Sequence, residues 1–137
     1  MQVTFDATDP DALARFWAEA LPGYQLQPPP PGFDSWDAFL ADNGVPPEHR
    51  NDASAIVGDG PRVFFQKVPE AKSAKNRVHL DLQAGGGPSV PLDEQRTRIQ
   101  AEVERLEALG ATVVGHNAEM GVAWTVMTDP EGNEFCV

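Results

Sequence analysis

His79 and Asp81 stand two residues apart in RVHLDLQ (77–83), where Val78, Leu80 and Leu82 alternate with His79, Asp81 and Gln83. Period-two alternation places His79 and Asp81 on one side of a strand. An imidazole beside a carboxylate suits general-base chemistry, because the carboxylate orients the ring and the ring takes the proton. The last residues, NEFCV, repeat the pattern with Glu134 and Cys136 on one side and Phe135 on the other. PRVFFQKV sets Arg62, Phe64 and Gln66 against Val63 and Phe65, and QVTFDAT sets Gln2, Thr4 and Asp6 against Val3, Phe5 and Ala7. A mixed polar face of this kind suits a small organic ligand, with polar groups fixing its orientation. His79 and Asp81 are therefore the candidate catalytic pair. Gln2, Phe64, Gln66, Glu134 and Cys136 are candidate ligand contacts, with Trp36 and Trp124 as candidate walls. Trp124 also alternates with Val122 and Val126, which fits a place in the core equally well. Asp81 and Glu134 have a structural reading too, as ion-pair partners of Arg62 or Lys67.

Other chemistries find little support. A nucleophilic Cys136 needs a depressed pKa and a neighbouring base, and no motif supplies them; a small, buried, apolar-like role is the simpler reading. A single cysteine excludes an intramolecular disulfide and a Cys-rich zinc site. GDGP and AGGGP lack the flanking residues of phosphate-cradling loops, and no serine elbow is present. The net charge of -11 repels phosphate backbones and anionic lipid, so neither nucleic acid nor membrane is an expected partner. No apolar run reaches the ~20 residues of a membrane span. MQVTFDATDP lacks the basic start and apolar stretch of a secretory signal, so a cytoplasmic location is expected.

These residues need elements to position them. QVTFDAT reads as a half-buried strand. A helix follows, with Asp9 as cap, Pro10 at its first position and Leu13, Phe16, Trp17 and Leu21 on one stripe; Pro22-Gly23 ends it. YQLQ (24–27) reads as a brief strand. Four prolines (28–31) form an extended arm leading to a short helix within 34–44, capped by Asp34 or Ser35, which reads as a lid or else as a surface insertion or a dimer contact. VPPEHRND reads as loop, and SAIVGDG and PRVFFQKV as two strands. PEAKSAKN connects to the RVHLDLQ strand, and GGGPSVP is loop. A long helix carries Ile99, Val103, Leu106 and Leu109 at helical spacing and ends at Gly110. ATVVGH, GVAWTVMTD and NEFCV read as three more strands. His49 and His116 fall in loop or strand-end positions, away from the polar face.

The order is β-α-β-(short α)-β-β and then β-α-β-β-β, one module written twice. QVTFDA lies over HLDLQA, and GPRVFF over GNEFCV. The final strand is thereby expected to close the second copy.

This arrangement resembles the vicinal oxygen chelate superfamily, which includes glyoxalase I, bleomycin-resistance proteins and extradiol dioxygenases. More narrowly it resembles small bacterial glyoxalase-like domain proteins. The carriers are VTFDATDPDALARFWAEAL, PPPPGFDSWDAFL, GPRVFFQKVPEAKSAKNRVHLDL, LEALGATVV and DPEGNEFCV, together spanning essentially the whole chain. The resemblance implies an α+β fold of two βαβββ modules whose sheets curve around a cup, with helices on the outer face. Residues 1–137 would form one glyoxalase-like domain, with module one at 1–69 and module two at 76–137.

The resemblance also implies metal ligands from the first and last strand of each module, which map to Gln2, Phe64, His79 and Cys136. Phenylalanine has no lone pair, and Cys136 stands where the strong carboxylate is expected. The expectation is therefore a site without a tightly bound metal. The alternative is a divalent ion (Zn, Ni, Fe or Mn) on a rearranged set such as His79, Asp81 and Glu134. His79 could equally be a former ligand, now hydrogen-bonded within the sheet. The functional expectation is a protein that binds a small organic molecule in its cup. The alternative is an enzyme of lyase, isomerase or dioxygenase type that uses His79 with a metal or as a general base. The resemblance further implies a homodimer.

Overall fold

The alternation at the start of the chain is realised in β1 (Gln2–Ala7) of the computed structural model, which describes all residues 1–137. The chain divides into two units, Met1–Ala71 and Lys72–Val137.

In the first unit β1 runs parallel to β4 (Arg62–Lys67) in continuous register, from Gln2 opposite Arg62 to Ala7 opposite Lys67. Parallel strands need a crossover, and α1 (Pro10–Ala20) begins it. β4 also pairs antiparallel with β3 (Ala53–Val57), and β3 with the two-residue β2 (Gln25–Leu26), giving the order β1-β4-β3-β2. Leu13, Phe16, Trp17 and Ala20 of α1 are buried, as are Ile56, Val63 and Phe65 of the sheet. Phe5 stands 5.5 Å from both the Trp17 and Phe65 rings, centroid to centroid. The Asp9 carboxylate accepts from the Ala12 N–H at 3.2 Å and from Asn51 Nδ2 at 2.8 Å, while Asn51 Oδ1 accepts from the Asp11 N–H. This loop side chain thus ties down the helix start. α2 (Trp36–Asp42) is capped by Ser35, whose hydroxyl accepts from the Ala38 N–H at 3.0 Å. The VPPEHRND loop contains one 3₁₀ turn, Pro47–His49; Pro47 suits its first position because no N–H is needed there.

In the second unit α3 (Leu92–Leu109) packs Ile99, Val103 and Leu106 into a core that also holds Met127 and Phe135. Gly110, at φ 110°, supplies the left-handed C-cap. The antiparallel sheet has the order β5 (Thr112–Glu119), β6 (Val122–Thr128), β7 (Glu134–Cys136). DPEGN is a structural turn. The buried Asp129 carboxylate accepts from the N–H groups of Glu131 and Asn133 and from Asn133 Nδ2, and Gly132 turns the chain at φ 87°.

The expected strand over 77–83 is a correction. Only Asp81 bridges Cys136, in parallel, flanked by bonds from the Leu82 N–H to the Cys136 carbonyl (2.8 Å) and from the Cys136 N–H to the Leu80 carbonyl (2.9 Å). Its partner, β7, has three residues, where β4 offers β1 six. In this register β7 begins opposite His79, and the residues that would face 77 and 78 belong to the DPEGN turn, so those two have no strand to pair with and Val78 is left exposed. No helix is long and apolar enough to cross a membrane.

Candidate functional site

His79 and Asp81 meet as their spacing predicts. His79 Nδ1 lies 2.7 Å from Asp81 Oδ1. A carboxylate only accepts, so Nδ1 carries the hydrogen, and Nε2 of the neutral ring keeps its lone pair. The bridge to β7 brings Cys136 beside them, and the nitrogen, oxygen and sulfur donors of His79, Asp81 and Cys136 lie within 4.8 Å of one another. Burial pushes the Cys136 thiol above its ordinary pKa, and the charge and hydrogen bond of Asp81 push it the same way. The thiol form is thereby favoured, the opposite of activation as a nucleophile.

These three residues open onto a pocket of about 350 Å³ within the second unit. Val122 and Trp124 line it together with Gly85–Gly87, of which Gly85 is buried against Ile99 and Gln95. Its inner end is held by Gln95, which is fully buried. Gln95 Nε2 donates to the carbonyls of Val90 and Gly121, both at 2.8 Å, and its Oε1 accepts from the Ala123 N–H at 2.9 Å. One side chain thus links the loop before α3 to the start of β6. Sequence reasoning missed it, although a signal existed: Gln95 lies one helical turn before Ile99 on the apolar stripe, a polar residue at a core position. A second pocket of about 370 Å³ lies between α3 and β5–β6, where His116 Nδ1 meets Thr125 Oγ1 at 2.9 Å. His116 is inside β5, not at a strand end. Trp124 lines both pockets.

Glu134 is not part of the cluster. Its carboxylate accepts from the Asn76 N–H at 3.0 Å and from Lys72 Nζ at 3.1 Å. The Asn76 bond, then its own backbone N–H and then Lys72 hold its pKa down at about 2. The expected set of His79, Asp81 and Glu134 is therefore replaced by His79, Asp81 and Cys136. The expected pairing of Asp81 and Glu134 with Arg62 or Lys67 is replaced by partners nearer in the chain, His79 and Lys72. Lys67 faces Asp52, which also accepts His49.

In the first unit, Gln2, Phe64 and Gln66 occupy the polar face of β1 and β4 as predicted. Arg62 organises that face. Its Nε donates to Gln27 Oε1 at 2.7 Å, its Nη1 donates to Gln2 Oε1, and its guanidinium carbon lies 5.0 Å from the Phe64 ring centroid. Trp36 Nε1 donates to the Gln27 backbone carbonyl at 2.7 Å, so the first residue of α2 attaches to the same residue that steadies Arg62. The α2 aromatics also contact one another: Phe39 meets Phe33 and Trp36 edge to face, at 5.2 and 5.7 Å. Arg50 pins the helix through Asp37 and the Val45 carbonyl. Gln66 stands exposed across from Ala53 and Asp6.

A family model described as a glyoxalase-like domain matches residues 2–137. No curated protein sequence matches the chain. Among solved structures, a glyoxalase/bleomycin resistance protein/dioxygenase family enzyme from Burkholderia phytofirmans PsJN superposes with a TM-score of 0.60 at 16% identity, over 98% of this chain and 93% of that one. Lactoylglutathione lyase from Agrobacterium tumefaciens gives 0.57 at 14% identity, over 100% and 90%. The fosfomycin resistance protein FosX from Listeria monocytogenes, in complex with Mn(II) and a dihydroxypropylphosphonic acid, gives 0.60 at 10% identity, over 98% and 84%. At these identities the likeness is one of fold.

Proposed function

The chain belongs to the glyoxalase-like domain family of the vicinal oxygen chelate superfamily, and from that premise we propose that it binds a small organic ligand in the pocket lined by His79, Asp81, Trp124 and Cys136. One observation carries this reading: an oriented imidazole, a carboxylate and a thiol converge on a cavity of about 350 Å³ that has an indole in its wall. His79 Nε2 accepts a ligand O–H or N–H, and Trp124 supplies apolar contact. A fragment library screened by protein-observed ¹H–¹⁵N NMR against the purified chain tests it. Hits are expected to perturb the Trp124 indole signal, and Trp124→Ala to weaken them about tenfold. A library without hits, or hits indifferent to both Trp124→Ala and His79→Ala, overturns the reading. The net charge of -11 supports ligand partners other than nucleic acid or anionic membrane, and the family likeness supports a homodimer, which light scattering of the purified chain checks.

A second reading is an enzyme, and the cluster is what favours it. The fold family implies a divalent ion. One nitrogen, one oxygen and one sulfur donor within 4.8 Å suit a borderline ion such as Zn²⁺ better than a hard ion, which prefers oxygen alone. His79, Asp81 and Cys136 would hold it, and when bound it supplies Lewis-acid polarisation of a ligand oxygen. Asp81 would exchange its bond to His79 Nδ1 for the ion, and the chain's remaining contribution is a pocket partly closed to water by Trp124 and Gln95. Elemental analysis of protein purified without chelator distinguishes the readings. Near-stoichiometric metal that disappears in His79→Ala supports the enzyme, and protein that stays metal-free after incubation with Zn²⁺ removes the metal route.

A further inference from the structure

We propose that the polar face of the first unit's sheet is an oxyanion-binding site, with Arg62 as the residue that grips the carboxylate or phosphate group of a small organic anion. The site lies in a different unit from the pocket above and goes beyond that reading. The argument begins from charge. The chain has 21 acidic residues and 10 lysines and arginines, so an acidic neighbour is easily come by. Seven of those ten basic residues stand within ion-pair distance of a carboxylate. The other three are Arg62, Lys75 and Arg77. Lys75 and Arg77 are exposed outside any helix or strand, where water solvates them. Arg62 alone is half-buried and set in a strand.

The residues holding Arg62 are the second part. Its two side-chain acceptors are the amide oxygens of Gln2 and Gln27, and its flat face lies over Phe64. Amides and a ring fix the fork in place without cancelling its charge, whereas a glutamate at either position would do both. A half-buried guanidinium without a counter-charge carries a desolvation cost that an incoming anion offsets. The bonds to Gln27 and Gln2 engage Nε and one hydrogen of Nη1. Nη2 is engaged by neither, so it and the second Nη1 hydrogen are left for the oxygens of a carboxylate or phosphate. Phe64 and the Trp36 indole, tied in through the Gln27 carbonyl, offer apolar surface for the body of the ligand.

Benzoate, phenyl phosphate and the neutral isostere benzamide are the probes, measured on the full chain by saturation-transfer NMR titration. Benzoate or phenyl phosphate is expected to bind at least tenfold more tightly than benzamide, and the ratio of the two anions tells a planar from a tetrahedral preference. Arg62→Gln is expected to lower affinity for the preferred anion roughly 10- to 100-fold, the range for a charge-assisted bidentate contact. Gln27→Glu places a carboxylate against Arg62; it is expected to lower anion affinity similarly while the melting temperature holds or rises, which separates a lost site from a lost fold. Equal binding of benzamide and the anions, no binding of either anion, or wild-type anion affinity in Gln27→Glu with Arg62 intact would overturn the proposal.

Discussion

At the scale of single residues, Asp81 decides what His79 can do. With its carboxylate on Nδ1, the imidazole has one usable lone pair, at Nε2. Removing the carboxylate frees the tautomer. In Asp81→Ala the neutral ring is expected to move toward the Nε2–H form, read directly from the imidazole nitrogen shifts in ¹⁵N NMR; an unchanged Nδ1–H pattern would mean that something else holds the ring. That His79 and Asp81 share one side was legible, because residues two apart do so in an extended segment; that they bond to each other was not, since Arg62 and Lys67 were also expected partners of Asp81. The membership of Cys136 rather than Glu134 was not legible, since both lie on one side of NEFCV. What separates them is a loop contact: the Asn76 N–H and Lys72 ammonium occupy Glu134.

At the scale of elements, caps and buried polar links carry the specificity. Asp9 caps α1 and is held by Asn51, and the Asn51 bond, followed by the Ala12 N–H, lowers its pKa below the ordinary carboxylate value. Asp9→Ala is expected to cost about 1 kcal/mol in denaturant unfolding. Because the folded-state pKa is the lower one, this contribution is complete above the unfolded value of about 4 and is lost as pH falls through the folded value. The gap between wild type and Asp9→Ala should therefore be constant from about pH 5 upward and close below about pH 4; a gap that widens in acid contradicts the capping role. Gln95 is the corresponding link in the second unit. Gln95→Leu keeps the volume but strands the Ala123 N–H and the Gly121 carbonyl. The expected loss is about 1–3 kcal/mol, measured by the urea midpoint. The Asp9-Pro10 start was plain in the sequence, because capping is local chemistry. The strand expected over 77–83 shrank to a bridge because its length depended on a partner more than fifty residues away.

At the scale of the whole molecule, the charge balance dominates. Most basic residues are already paired and the excess of -11 is unopposed, so the folded chain repels itself. Salt screens that repulsion, while the exposed ion pairs it also weakens are worth little each. The melting temperature is therefore expected to rise between about 0.02 and 0.3 M NaCl, across which the Debye length falls from above ~10 Å to below it. A falling melting temperature would show that the ion pairs outweigh the net repulsion. The same excess gives Arg62 its meaning, because leaving a half-buried arginine without an acid is uncommon in so acidic a chain.

The sequence by itself determined whatever a few neighbouring residues settle: the alternating faces of β1, β4 and β6, the caps and stops of α1 and α3, the DPEGN turn, and the placing of His79 and Asp81 on one side of their segment. Its duplicated order also led to the family. Only the tertiary structure decided which distant groups meet: Asp81 with Cys136, Glu134 with Lys72 and Asn76, Arg62 with Gln2 and Gln27, and Gln95 with Ala123. The physical reason is range. Dihedral preferences and side-chain periodicity act within a turn or a strand, whereas partners far apart in the chain are chosen by whichever packing of the elements buries the most apolar surface while leaving the fewest polar groups unpaired.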